Sequence, residues 1–129
     1  SEAGDEQNAA VAPMEKGHVE GDDFDCRRWN MTVKAINEFA NPLLHFFRSR
    51  GVFIQAVKNP GNAVTAGLRS GDIILEIDGV EVDGIDDIRR IYETIVADGK
   101  RDKKAVFTVL RSGLKYYHVL DYAPRYGQD

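Results

Sequence analysis

Cysteine is nearly missing from this chain. Cys26 is the only one in 129 residues. No intrachain disulfide can form, and cysteine usage gives no sign of an oxidising compartment. Apolar runs of membrane-spanning length are missing as well, so no part of this segment is expected to insert in a membrane. A basic excess is also missing: Lys and Arg number 17 against 21 Asp and Glu, a net charge of −4. No strongly basic face recommends nucleic acid as a partner. No secretory signal is visible, and the first residue is Ser. That predicts a piece cut from a longer protein, with any targeting segment or catalytic domain lying outside it.

Catalytic and ligand-binding patterns are equally sparse. There is no Gly-rich phosphate loop and no Cys/His spacing for zinc. Asp78, Glu81, Asp83, Asp86 and Asp87 are close together, but Val80 stands where a calcium loop needs an oxygen ligand. The three histidines, His18, His45 and His118, are scattered. Gly67-Leu68-Arg69-Ser70-Gly71 is one residue off a nucleophile elbow and does not follow a strand. No cofactor, no metal and no catalysis by this segment alone are expected.

Charge is divided unevenly. Residues 1–23 hold Glu2, Asp5, Glu6, Glu15, Glu20, Asp22 and Asp23 against Lys16, a net of −6, so the remainder carries +2 of the total −4. That acidic, aperiodic stretch predicts a flexible linker or tail. A passive linker accounts for it; so does a tether that occupies a neighbour's binding site. The remaining residues are apolar enough for one core of ordinary size, since 43% of the chain is hydrophobic.

The densest information lies in residues 59–79. Pro60 and Gly61 predict a turn. Asn62 is expected to cap a short helix over 63–66, and Gly67 to end it. Gly71-Asp72 predicts a second turn, and Ile73, Ile74, Leu75 and Ile77 a buried strand closed by the hairpin pair Asp78-Gly79. Upstream, Trp29, Met31, Val33 and Ala35 alternate with Asn30, Thr32 and Lys34, the period of a strand, with a loop before it. Asn41-Pro42 starts a short apolar helix containing Leu43, Leu44, Phe46 and Phe47, which Gly51 stops. Residues 52–57 predict a strand and Val80-Glu81-Val82 a short one. Ile85, Ile88, Ile91, Tyr92, Ile95 and Val96 recur at three- and four-residue steps, a helix over about 85–96. Residues 97–104 form a basic loop. Residues 105–111 and 115–121 read as two strands joined at Ser112-Gly113. The last eight residues, 122–129, are expected to be a short tail.

The ordered set Pro60, Gly61, Ala63, Ala66, Gly67, Leu68, Gly71, Asp72, Ile74 and Gly79 resembles the central signature of bacterial PDZ domains, the form found behind the protease domain in HtrA-type serine proteases. Asn62 stands for the usual Ser, Val64 near the usual small residues, and Asp78 for the usual Asn. The resemblance spans about residues 24–121 and implies an α+β fold: a five- to six-stranded, partly open antiparallel barrel or sandwich with two to three helices. The strand order is permuted, the last strand replacing the usual first.

The resemblance further implies peptide capture. An edge strand over 31–36 beside the 85–96 helix forms a groove, and an extended peptide joins the strand by β-augmentation. The carboxylate-binding loop falls on Arg28-Trp29-Asn30-Met31, with Asn30 in place of the usual Gly and tolerant of positive φ. Backbone N–H groups of Trp29, Asn30 and Met31 would hold the peptide's C-terminal carboxylate, with Arg27 or Arg28 adding charge. Thr32 and Val33 continue the pairing strand, and Trp29, Met31, Ile88 and Tyr92 would line the side-chain pocket. The same periodicities make Met31, Val33, Ile88 and Ile91 core residues. Trp29 suits either a pocket wall or a core plug, and the two arginines suit a solvated pair. The implied function is a regulatory or substrate-recognition module of an HtrA-like serine protease in the bacterial envelope or periplasm, its protease domain in the same full-length chain. A structural or assembly domain with an occluded groove, or a PDZ domain of another protease class or secretion component, fits the same residues.

Overall fold

The computed structural model describes residues 23–126. In chain order these form β1 (Asp23–Cys26), a 3-10 turn (Arg27–Trp29), β2 (Met31–Ala35), α1 (Pro42–Phe47), β3 (Val52–Val57), α2 (Asn62–Ala66), β4 (Ile73–Ile77), β5 (Val80–Glu81), α3 (Ile85–Ala97), β6 (Lys104–Arg111) and β7 (Leu114–Asp121). All seven strands belong to one open antiparallel sheet, in the order β1-β2-β3-β4-β6-β7, with β5 paired to β4. The expected α+β architecture with three helices is present. The seventh strand is β1, which takes in the last residue of the expected tail and the first residues of the expected loop.

The turns follow the chemistry of their residues. Asp78 and Gly79 both have positive φ, as do Ser112 and Gly113. Two consecutive positive φ values give a turn whose twist matches the flanking strands, which is why β4–β5 and β6–β7 close as tight hairpins. Helix α3 buries Ile85, Ile88, Ile91 and Ile95, the stripe that its periodicity predicts. Its first turn is tied by Asp87, whose carboxylate accepts the N–H groups of Asp83 at 2.8 Å and Gly84 at 3.2 Å. The Asp83 N–H, with help from Arg90 and Gly84, keeps the Asp87 carboxyl below its ordinary range.

One core runs under the sheet and joins Cys26, Trp29, Met31, Val33, Ile54, Leu68, Ile74, Ile77, Ile88, Phe107, Val109 and Leu120. At the far side of the sheet Asp72, 1% exposed, forms a two-pronged ion pair with Arg111: Nε reaches Oδ1 and a terminal guanidinium nitrogen reaches Oδ2, both at 2.7 Å. Arg111 also donates to the Gly67 carbonyl. His118 Nδ1 lies 3.0 Å from the Ala66 carbonyl, so it carries the proton and donates. Strand β7 is thereby fastened to α2.

Ordered contacts reach at least one residue to either side of 24–121. Asp23, placed in the acidic tail, opens β1; the rest of that tail lies outside the described residues. Tyr122, placed in the C-terminal tail, is buried and donates its N–H to the Lys103 carbonyl.

Candidate peptide groove

The site grows out of the turn that feeds β2. Asn30 sits at φ 60°, ψ 46°, the left-handed conformation that Asn adopts more readily than most residues. Its N–H and its side-chain Nδ2 both donate to the Arg27 carbonyl at 3.2 Å, and its own carbonyl accepts from Lys58 N–H at 2.9 Å. Its Oδ1 accepts the N–H of Asn62, the first residue of α2, at 2.9 Å. The cap expected from Asn62 comes instead from Asn30. The Asn62 side chain turns away and donates to the carbonyls of Arg28 and Pro124 at 2.8 and 3.0 Å. It thus ties the turn to the chain's C-terminal end.

Strand β2 is not an edge, and this corrects the expectation of a free backbone rim. It pairs with β3 on one side and with β1 on the other. Across the second pairing Asp23 faces Lys34, Phe24 faces Val33, Asp25 faces Thr32 and Cys26 faces Met31. The physical reason lies in Asp23-Phe24-Asp25-Cys26, a single polar–apolar alternation too short to stand out beside the acidic stretch. Its apolar residues turn inward: Cys26 is fully buried and Phe24 half-buried, while both aspartates are exposed. Phe24 packs edge-on against Tyr92 of α3, ring centroids 5.4 Å apart, and the Arg89 guanidinium lies over its ring, 5.3 Å from the centroid. Residues 23–26 therefore lie along β2 beside α3, in the furrow expected to receive a peptide.

The expected site residues do converge, but as walls of a filled space. Trp29 is completely buried, held edge-on between Tyr92 at 4.8 Å and Phe107 at 5.0 Å. Among the described residues its indole Nε1 has no hydrogen-bond partner. Asn30, Met31, Val33 and Ile88 are buried, and Thr32 is half-buried. Arg28 is tied to the domain itself. Its guanidinium donates to the Tyr122 carbonyl at 2.7 Å and stacks on the Tyr122 ring, and its N–H donates to the Tyr92 hydroxyl at 2.9 Å. The Asn30 N–H, expected to hold a terminal carboxylate, is taken by the Arg27 carbonyl. Burial raises the Tyr92 hydroxyl above its ordinary range, the Arg28 N–H working against it. Burial also pushes the Cys26 thiol far up, with Asp25 adding to it, so the sulfur is protonated and behaves as a small hydrophobe. Phe24, Cys26, Arg89 and Asn62 also stand at this furrow or its turn, where sequence reasoning had not put them.

Among the described residues no cluster of His, Cys, Asp and Glu has metal-binding geometry, and no helix is long and apolar enough to cross a membrane. Helix α1 shares a cavity of about 360 Å³ with residues 69–73 and 110–113.

Comparison with known proteins now places the chain. No curated protein sequence matches it. Among solved structures it is similar to the HtrA-type protease AlgW with decapeptide, at 28% identity and a TM-score of 0.55, covering 72% of this chain and 27% of that one. It is also similar to an AlgW variant with tripeptide, at 29% identity and a TM-score of 0.50, covering 71% of this chain and 29% of that one. The chain thus spans little more than a quarter of the length of the proteases it matches. A family model described as PDZ domain matches residues 27–116, beginning just after β1. With the signature of residues 60–79 and the sheet order described above, the chain belongs to the PDZ domain family.

Proposed function

We propose that this domain binds an extended peptide by β-augmentation in the furrow between β2 and α3, as the substrate-recognition or regulatory module of an HtrA-like serine protease of the bacterial envelope. One observation carries the reading: the furrow already holds an extended segment, β1, in antiparallel register with β2 and against α3. The peptides in the solved AlgW structures support it. In this reading the backbone of Met31, Thr32 and Val33 pairs with the guest. Residues Arg28 to Asn30 close the furrow at the guest's C-terminal end, and Ile88 and Tyr92 form the α3 wall. Backbone pairing gives sequence-independent affinity and the α3 wall gives selectivity. The protease domain belongs to the same full-length chain. Titration of free-carboxylate peptides against the folded domain tests this, with dissociation constants expected on the order of micromolar, about −8 kcal/mol. Absence of binding across a diverse library, with the fold intact, rejects it.

A second reading is a structural or assembly domain whose groove is permanently closed. The pairing of β1 with β2 favours it directly. The two differ in one measurable property, namely whether β1 ever leaves.

A further inference from the structure

Resting on the peptide-binding reading above, we propose that β1 is a tethered stand-in for the ligand, and that the guest is an extended peptide of the same pattern: an acidic residue, an aromatic, any residue, then a small apolar one. The contacts of β1 define that pattern position by position. Asp23 faces Lys34 across the register, a cross-strand pair of opposite charge. Phe24 occupies an aromatic slot made by the Tyr92 ring and the Arg89 guanidinium. Asp25 faces Thr32 and is exposed, so its side chain selects nothing. Cys26 fills a closed space opposite Met31, inside the cluster containing Trp29 and Ile88, where only a small apolar side chain fits without shifting the core.

Three features suit β1 to exchange rather than to permanent structure. It is four residues long and lies at the end of the sheet, with no strand on its outer side among the described residues. The residues matched by the family model begin at Arg27, directly after β1. Two of its four side chains are exposed, so little apolar surface holds it. A guest gains the same backbone pairing that β1 gives up, and the balance is set by side-chain fit and concentration. The domain's apparent affinity is then its intrinsic affinity reduced by the fraction of molecules in which β1 is out.

Cys26 supplies the readout, because it is the only cysteine and lies within β1. The probe is a synthetic peptide ending Asp-Phe-Asp-Val with a free carboxylate, alongside a scrambled version. Binding is followed by fluorescence anisotropy and Cys26 exposure by its rate of reaction with an aromatic disulfide reagent. Saturable binding is expected to raise that rate at least about tenfold, in step with occupancy. Phe24→Ala is expected to raise the basal rate and tighten peptide binding by about tenfold. Arg89→Ala, on α3, provides a second variant, expected to loosen β1 and the guest alike. Near-ultraviolet circular dichroism confirms that each variant is folded. Peptide binding with an unchanged Cys26 rate overturns the exchange while leaving peptide binding standing. Equal affinity for the scrambled peptide overturns the pattern. No binding of this peptide to wild type or to Phe24→Ala overturns the pattern, and only the further absence of binding across the free-carboxylate library overturns the peptide-binding reading itself.

Discussion

The side-chain oxygen of Asn30 accepts the first N–H of α2, that of Asn62, at 2.9 Å across 32 positions of sequence. The Asn30 amide nitrogen meanwhile holds the Arg27 carbonyl, and the backbone of Asn30 itself is left-handed. One residue thus sets the turn beneath the furrow and the start of the helix behind it. A glycine here would supply the backbone conformation but neither side-chain bond.

That division gives the first prediction. Asn30→Gly keeps the turn but orphans the Asn62 N–H, and is expected to cost about 1 to 3 kcal/mol. Asn30→Ala adds strain at positive φ and should cost about 1 kcal/mol more. Urea unfolding of the three proteins ranks them. An alanine variant as stable as the glycine variant would show that backbone conformation is not limiting.

Gly61 lies against this turn. A Cβ there would come within 2.6 Å of the Lys58 carbonyl oxygen and 2.8 Å of the Asn30 Cβ. Its φ of −178° is ordinary extended backbone, so the constraint is space alone. Gly61→Ala is expected to destabilise by about 1 to 3 kcal/mol. Thermal unfolding checks it: an unchanged midpoint would mean that the two segments separate freely.

The pair of Asp72 with Arg111 predicts a different pattern. Asp72 is 1% exposed, and Arg111 supplies both of its close charged contacts at 2.7 Å. Arg111→Met leaves a buried carboxylate without its counter-charge and should cost about 3 to 5 kcal/mol. Adding Asp72→Asn to it should recover a substantial part, because the amide needs no counter-ion. A double variant less stable than Arg111→Met alone would contradict this account.

Asp87 makes stability depend on pH. Its carboxyl is held below the ordinary range chiefly by the Asp83 N–H, so the folded state favours the ionised form. The contribution is fully present above the unfolded pKa, about 4, and is lost as pH falls through the lower folded value. Asp87→Asn is therefore expected to lose about 0.5 to 1 kcal/mol at pH 7. The difference from wild type should close once the pH is below the folded value. A gap that persists there would assign the effect to packing.

Most of the frame was legible because it rests on local energies. The Ile85–Ile95 stripe, the paired turn residues at 78–79 and 112–113, and the tolerance of Asn30 for positive φ each follow from a few neighbouring residues. The furrow was legible as a place. The convergence of Trp29, Met31, Val33, Ile88 and Tyr92 follows from a strand period meeting a helix period.

What fills the furrow was not legible, because the alternation in Asp23-Phe24-Asp25-Cys26 is too short to mark a strand by itself. It becomes a strand only because β2 offers unpaired backbone and Tyr92 and Arg89 offer a slot for Phe24. The capping of α2 was hidden for the same reason. Asn62 and Asn30 are equally able caps, and only their placement in the fold gives Asn30 the helix and Asn62 the carbonyls of Arg28 and Pro124. The sequence by itself determined where this chain turns and which faces it buries, since those choices are made within a few residues. The tertiary structure alone decided which strand lies against β2, because pairing energy belongs to two segments at once and neither encodes it separately.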